Sequence, residues 1–182
     1  MQKLLELITS KKTKPELVSI ANEVAARLRK KVIPANDIAG FIGNGHFMRD
    51  GLHAIAEAER LRAGGDWAPA LYKLNRVSQD WLLRPMGIFQ LIDYVGVDVT
   101  QMILGVMDTY LPGKGLHSDF IDALVEKKVL GGQNHDGSQK DGILKYEKGK
   151  PVAVYELDKG EYVPFASGVA ETADKELGPL PD

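Results

Sequence analysis

The sequence predicts a mainly α-helical domain, preceded by a strand–helix–strand segment and followed by a small β-hairpin region. Three observations predict it. From Asp37 to Val129, apolar residues recur at helical spacing in one run after another. Residues 3–8 and 31–35 are short apolar runs on either side of a single amphipathic stretch. Near the other end, glycine-bearing polar turns at 148–150 and 158–160 separate short β-prone runs.

Each element has a local reason. The run Lys3-Leu4-Leu5-Glu6-Leu7-Ile8 suits a strand. Thr13 with Glu16 three residues on is a capping-box pattern, and Pro15 falls in the first helical turn, where its missing N–H costs nothing. Leu17, Ile20, Ala21, Val24 and Leu28 give that helix an apolar face, and residues 31–35 form a second strand. Residues 1–36 thus read as one crossover unit, too small to form a sheet of its own.

A helix through Phe47 or Met48, Leu52, Ile55 and Leu61 ends at Gly64-Gly65, and Asp66 is placed to cap the next, with Ala70, Leu71, Leu74 and Val77 on one face. A short helix spans Ile88 to Val95. Asp98 is expected to cap another, whose Val99, Met102, Ile103, Val106 and Tyr110 share a face, with Met107 beside them, to pack in the bundle or across a dimer seam. Ser118 or Asp119 opens a last helix reaching about Val129. After a polar loop from Gly131 to Gly142, strands are expected at 143–147, 152–157 and 161–165. From Ala166 the small, acidic, proline-bearing sequence reads as an extended or mobile tail.

Composition narrows the function. Of the 182 residues, 23 are Lys or Arg and 25 are Asp or Glu, a net charge of −2 that argues against phosphate neutralisation as the main task. With 44% hydrophobic residues the chain is too apolar for intrinsic disorder. It contains no cysteine, which excludes disulfides, thiolate metal sites and cysteine nucleophiles, and fits a cytoplasmic protein. No apolar run approaches the roughly 20 residues that cross a bilayer. Lys3 and Glu6 make the first residues a poor secretory signal.

Several residues are candidates on their chemistry alone. His46, Asp50 and His53 lie at i, i+4 and i+7, so one helical face can offer all three to a metal or simply to solvent. His135 beside Asp136 is either an acid–base pair or loop surface. Gly40-Phe41-Ile42-Gly43-Asn44-Gly45 precedes a helix whose free N–H groups can hold an anion, although its spacing matches neither dinucleotide nor Walker patterns; equally, it is a joint needing backbone room. The Asn44 amide can donate and accept near a ligand carbonyl. Glu6 is a carboxylate in an apolar run, either the orienting partner of a basic group such as histidine or a side chain turned to solvent.

Four segments, in order, resemble one family. Residues 84–98, Arg-Pro-Met-Gly-Ile-Phe-Gln-Leu-Ile-Asp-Tyr-Val-Gly-Val-Asp, are similar to the C-terminal domain of bacterial and mitochondrial 3-hydroxyacyl-CoA dehydrogenases. Residues 37–44, Asp-Ile-Ala-Gly-Phe-Ile-Gly-Asn, resemble that family's entry into its helical domain, usually Asp-Thr-Pro-Gly-Phe-Ile-x-Asn-Arg. Residues 3–8 resemble the strand after the family's catalytic histidine, and Tyr155-Glu156-Leu157-Asp158 is similar to the extended C-terminus of larger fatty-acid-oxidation members.

The resemblance implies that residues 1–36 end an NAD-binding Rossmann-like domain, that 37–147 form a helical domain like the C-terminal domain of 6-phosphogluconate dehydrogenase, and that 148–182 add a β-hairpin and tail. It implies oxidation of 3-hydroxyacyl-CoA to 3-ketoacyl-CoA in β-oxidation, with hydride passing to NAD, by a homodimer without nucleic acid or membrane insertion. Glu6 matches the glutamate that orients the catalytic histidine, and Asn44 matches the asparagine facing the acyl-CoA carbonyl. None of His46, His53, His117 and His135 matches that histidine by position. The histidine and the glycine-rich NAD loop are expected upstream of Glu6, so this chain alone is expected to be inactive. Ala39, Gly45 and Lys140-Asp141 depart from the family's proline, arginine and Gly-x-Gly pattern. The alternative reading is a non-enzymatic helical module for dimerisation or acyl-CoA binding.

Overall fold

A computed structural model describes residues 3–180. Strand β1 (Leu4–Thr9), helix α1 (Pro15–Arg27) and strand β2 (Lys31–Asn36) form the expected crossover unit, and contrary to expectation its strands make a two-stranded parallel sheet of their own, in register from Leu4 opposite Lys31 to Thr9 opposite Asn36. The Thr13 capping box does not form. The helix N-cap is Lys14 without a side-chain bond, and the Thr13 hydroxyl instead accepts the Ser10 N–H at 2.9 Å, closing the turn before the helix. Leu17, Ile20, Val24 and Leu28 are all exposed, and Ala25 is the buried residue of α1. A two-stranded parallel sheet offers too little surface to cover both sides of such a unit.

Helices α2 (Gly43–Arg62), α3 (Trp67–Arg76), α4 (Ile88–Val95), α5 (Val97–Tyr110) and α6 (Asp119–Glu126) follow. Between α3 and α4 the chain makes a π-helical turn, Val77–Trp81, that periodicity did not reveal. Asp66 occupies the N-cap of α3 but its carboxylate pairs with Lys159 at 2.8 Å rather than with the helix. The carboxylate serving that helix end is Glu156, fully buried, whose Oε2 accepts the Ala68 N–H at 2.9 Å. The N-cap of α5 is Gly96, so Asp98 sits inside the first turn. Ser118 caps α6 as expected, through a 3.4 Å bond from Ile121 N–H, but the helix stops at Glu126.

Of the residues expected to pack on α5, Met107 is buried and Ile103 half-buried, while the others face outward. Val97, Thr100, Leu104 and Met107 are buried, whereas Val99, Met102, Val106 and Tyr110 are exposed. Both stripes have helical spacing. Thr100 meets burial by donating its hydroxyl to the Gly96 carbonyl at 2.9 Å.

Strands β3 (Leu144–Glu147), β4 (Lys150–Glu156) and β5 (Glu161–Pro164) form an antiparallel sheet in that order. The segment from Ala166 is neither extended nor loose. After a 3₁₀ turn at Phe165–Ser167 it forms helix α7 (Val169–Leu177), whose Val169 and Ala173 are buried at i, i+4 spacing. Arg76 donates to Asp174 at 2.8 Å and Lys73 pairs with Glu176, fastening α7 to α3. One buried cluster runs through α2, α3, α4, α6, the sheet and α7; a second joins Met48, Leu104, Met107 and Leu116. No residue from 3 to 36 belongs to either. Among the described residues no single helix is long and apolar enough to cross a membrane.

Candidate active site at the joint before helix α2

The site forms where the crossover unit meets the helices. β2 runs into residues 37–42, whose Gly40 has φ +86°, a conformation that L side chains rarely adopt. This turns the chain into α2, the 20-residue helix that starts at Gly43. The helix has no acidic residue in its first turn and no side-chain cap from Ile42. Its open N–H groups are met from β1: Glu6 Oε1 accepts the Gly43 N–H at 2.7 Å, and Oε2 accepts the Ile42 N–H at 3.0 Å. The Gly45 N–H goes to the Gly40 carbonyl at 2.6 Å. The anion at this glycine-bearing turn is therefore the protein's own carboxylate.

Asn44, the next residue along, is exposed and its side chain makes no hydrogen bond among the described residues. It lines an open cavity of about 710 Å³ between residues 37–44 and α5. The rest of the lining is largely apolar and includes Ile38, Phe41, Met102, Val106 and Tyr110. The cavity thus offers an amide donor and acceptor at the edge of a hydrocarbon-lined trough, with a carboxylate one helical residue away. Glu6 and Asn44, singled out separately in the sequence, meet at one helix end. The reading of the 40–45 run as a joint that needs backbone room fits Gly43, where a Cβ would lie 2.6 Å from Glu6 Oε1.

The other candidates separate. Asp50 is paired with Arg84 at 2.9 Å, and His46 and His53 are exposed. Among the described residues the grouping whose ligand atoms lie within 4.8 Å of one another is instead His117, Asp119 and Asp122, at the start of α6. His117 lies 2.9 Å from Asp119, which holds its imidazolium above the usual histidine range. Asp136 does not engage His135: it accepts the Ser138 N–H and hydroxyl at 2.9 and 2.6 Å, which holds its carboxyl below the usual range.

Sequence reasoning gave no role to Asp93. It is fully buried and accepts Ile143 N–H at 2.6 Å, Leu144 N–H at 2.8 Å and the Tyr146 hydroxyl at 2.9 Å. Burial pushes its carboxyl up to about 7, against the pull of those donors. Gly142 has to lack a side chain there, because a Cβ would collide with Asp93 Oδ1. The signal in the sequence was an acidic residue inside the apolar face of α4.

Comparison with known proteins places this architecture. Solved structures of similar fold include FadB2 of M. tuberculosis, with a TM-score of 0.66 at 22% identity over 80% of this chain and 48% of that one. Another is the (S)-3-hydroxybutyryl-CoA dehydrogenase PaaH1 of Ralstonia eutropha, with a TM-score of 0.63 at 18% identity, covering 81% of this chain and 48% of that one. In sequence, the mitochondrial hydroxyacyl-coenzyme A dehydrogenase of Mus musculus is 30% identical over 142 residues, 77% of this chain and 43% of the mouse protein. The fatty acid oxidation complex subunit alpha of Colwellia psychrerythraea is 29% identical over 153 residues, 83% of this chain and 20% of that subunit. The chain thus spans less than half the length of these relatives. The profile of the 3-hydroxyacyl-CoA dehydrogenase C-terminal domain matches residues 40–141, more than half of the chain. The chain belongs to the 3-hydroxyacyl-CoA dehydrogenase family, of which it carries the C-terminal domain.

Proposed function

We propose that this chain supplies the acyl-facing part of an enzyme that oxidises 3-hydroxyacyl-CoA to 3-ketoacyl-CoA in fatty-acid β-oxidation. The observation that carries the reading is the unpartnered Asn44 amide at the rim of the apolar cavity, next to the carboxylate of Glu6. An acyl chain fits the trough, and its C3 oxygen is the group an amide donor recognises. In this reading Asn44 donates to the C3 oxygen and stabilises the charge that develops there. Glu6 holds the ring of the general base, a histidine contributed from outside this chain, and stabilises it when it becomes charged.

NAD would supply the hydride acceptor of such a reaction. The turn that follows β1, Ser10–Lys14, contains no glycine and so does not offer the close backbone approach a pyrophosphate needs. The cofactor is assigned to the remaining part of the enzyme, and by itself this chain is inactive. Two further parts of the proposal concern setting. The exposed Val99, Met102, Val106 and Tyr110 stripe favours a homodimer through α5. The cysteine-free composition suits a cytoplasmic enzyme. The alternative, a non-enzymatic module that dimerises or binds acyl-CoA, shares the cavity but gives Glu6 no chemical task.

The test joins this chain to a Rossmann half from a homologous enzyme and follows acetoacetyl-CoA-dependent NADH oxidation. Glu6→Gln should lower kcat by roughly a hundredfold or more with little change in KM. Wild-type turnover in that variant removes Glu6 from the mechanism.

A further inference from the structure

We infer that Gly43 is a positioning residue of the site: its missing side chain makes room for the Glu6 carboxylate on the first turn of α2, and this clamp sets where the neighbouring Asn44 amide points. The inference rests on the proposed acyl-facing role of Asn44.

The argument begins with why a glycine stands there. Gly43 lies within α2 and does not have positive φ, so its backbone conformation suits any L residue. A helical glycine weakens the helix relative to alanine, so its presence calls for a steric reason. A Cβ at Gly43 would lie 2.6 Å from Glu6 Oε1, and the other atom it would meet within 4 Å is the Cδ of the same side chain. A methyl group at this position therefore presses on the Glu6 carboxylate.

Gly45, two residues on, is a built-in contrast. It too lies within α2 without positive φ, but a Cβ there makes ordinary contact, 3.5 Å from the Gly40 carbonyl.

The clamp adds to the packing of Ala39 on the second buried cluster at this joint. The crossover unit contributes no residue to either buried cluster. Among the described residues, the ties that join it to the helices include residues 37–42 and the two Glu6 bonds at 2.7 and 3.0 Å, which span 37 and 36 residues of sequence respectively. Those bonds are charge-assisted, and both oxygens are engaged by consecutive N–H groups, which fixes the orientation of the carboxylate as well as its position. Asn44 is covalently next to one of these donors. Removing the clamp frees the first turn of α2 to fray, and the Asn44 amide with it.

The test compares wild type, Gly43→Ala, Glu6→Gln and Gly45→Ala in the full chain. Amide hydrogen exchange is measured at positions 42 and 43, the Asn44 side-chain amide is followed by NMR, and acetoacetyl-CoA is titrated as the probe. Exchange at 42 and 43 should quicken roughly ten- to hundredfold in Gly43→Ala and Glu6→Gln and stay at the wild-type rate in Gly45→Ala. The Asn44 amide signals should move in the first two variants, and acetoacetyl-CoA should bind about tenfold more weakly to Gly43→Ala than to Gly45→Ala. Wild-type exchange in Gly43→Ala overturns the clamp. Faster exchange with unmoved Asn44 signals overturns the positioning role. If wild type binds no acetoacetyl-CoA, the acyl-CoA reading fails, and exchange with the Asn44 signals still decides the clamp. Because the group displaced is the far end of a flexible side chain, Gly43→Ala should fold; if it does not, Glu6→Gln reports on the same bonds.

Discussion

The Tyr146 hydroxyl donates to Asp93 Oδ2 at 2.9 Å, so the edge strand of the sheet is fastened to a carboxylate buried in the helical core. The same carboxylate accepts the N–H groups of Ile143 and Leu144, making α4 the anchor for the start of β3. Burial holds the folded carboxyl at about 7 against 3.8 for the free group. The folded state therefore binds the proton more tightly than the unfolded chain between these values. This contribution to stability is present at low pH and is lost as pH rises through about 7. Urea unfolding at pH 5 and pH 8 should show a larger wild-type stability at pH 5, by an amount that shrinks in Asp93→Asn. An equal pH difference in the two proteins would remove Asp93 as its source.

Asn75 holds the start of α4 in a comparable way. It is buried, and its Oδ1 accepts the N–H groups of Phe89 and Gln90 at 3.1 and 3.2 Å. Asn75→Ala leaves both donors unmet and opens a small void, and should cost about 2–3 kcal/mol. For a chain of this length that corresponds to a melting temperature lower by roughly 4–10 °C. A change below about 1 °C would mean that solvent replaces the amide without penalty.

The helices were legible because their apolar residues recur at a helical period, and α4 starts and stops where its sequence says. Which face packs was less legible. On α5 two stripes of equal quality compete, and only the position of Met48 and Leu116 decides that Leu104 and Met107 face inward. α7 was hidden because its apolar positions are few, and its partners Tyr72, Lys73 and Arg76 lie about a hundred residues earlier. Glu6 and Asn44 could be named from pattern and resemblance, but their meeting depends on room at Gly43, a property of three-dimensional approach that no spacing encodes.

The docking of α7 makes its own prediction. Ala173 is 1% exposed, so Ala173→Asp places a carboxylate without a partner in the core. The cost should be about 3 kcal/mol, concentrated at the α3–α7 contact. Trypsin should then cut at Lys175 well before the rest of the chain unfolds, followed by mass spectrometry. Cleavage at Lys175 as slow as in wild type would mean that α7 stays docked without its buried face.

The exposed side of α5 bears on assembly. Met102 is 62% exposed and Tyr110 71%, and with Val99 and Val106 they line one side of a 14-residue helix about 21 Å long. An apolar stripe of this length, whose Met102, Val106 and Tyr110 also wall the Asn44 cavity, is the kind of surface that a second copy covers. A self-complementary contact puts each changed residue on both sides of the seam, so one charge is doubled. Sedimentation velocity should therefore show a wild-type dimer and a Val106→Glu monomer with unchanged helical circular dichroism. A charge on the far surface, such as Ala56→Glu on α2, should leave the dimer intact. If Val106→Glu sediments as the wild type does, whether as monomer or dimer, the seam does not run along α5.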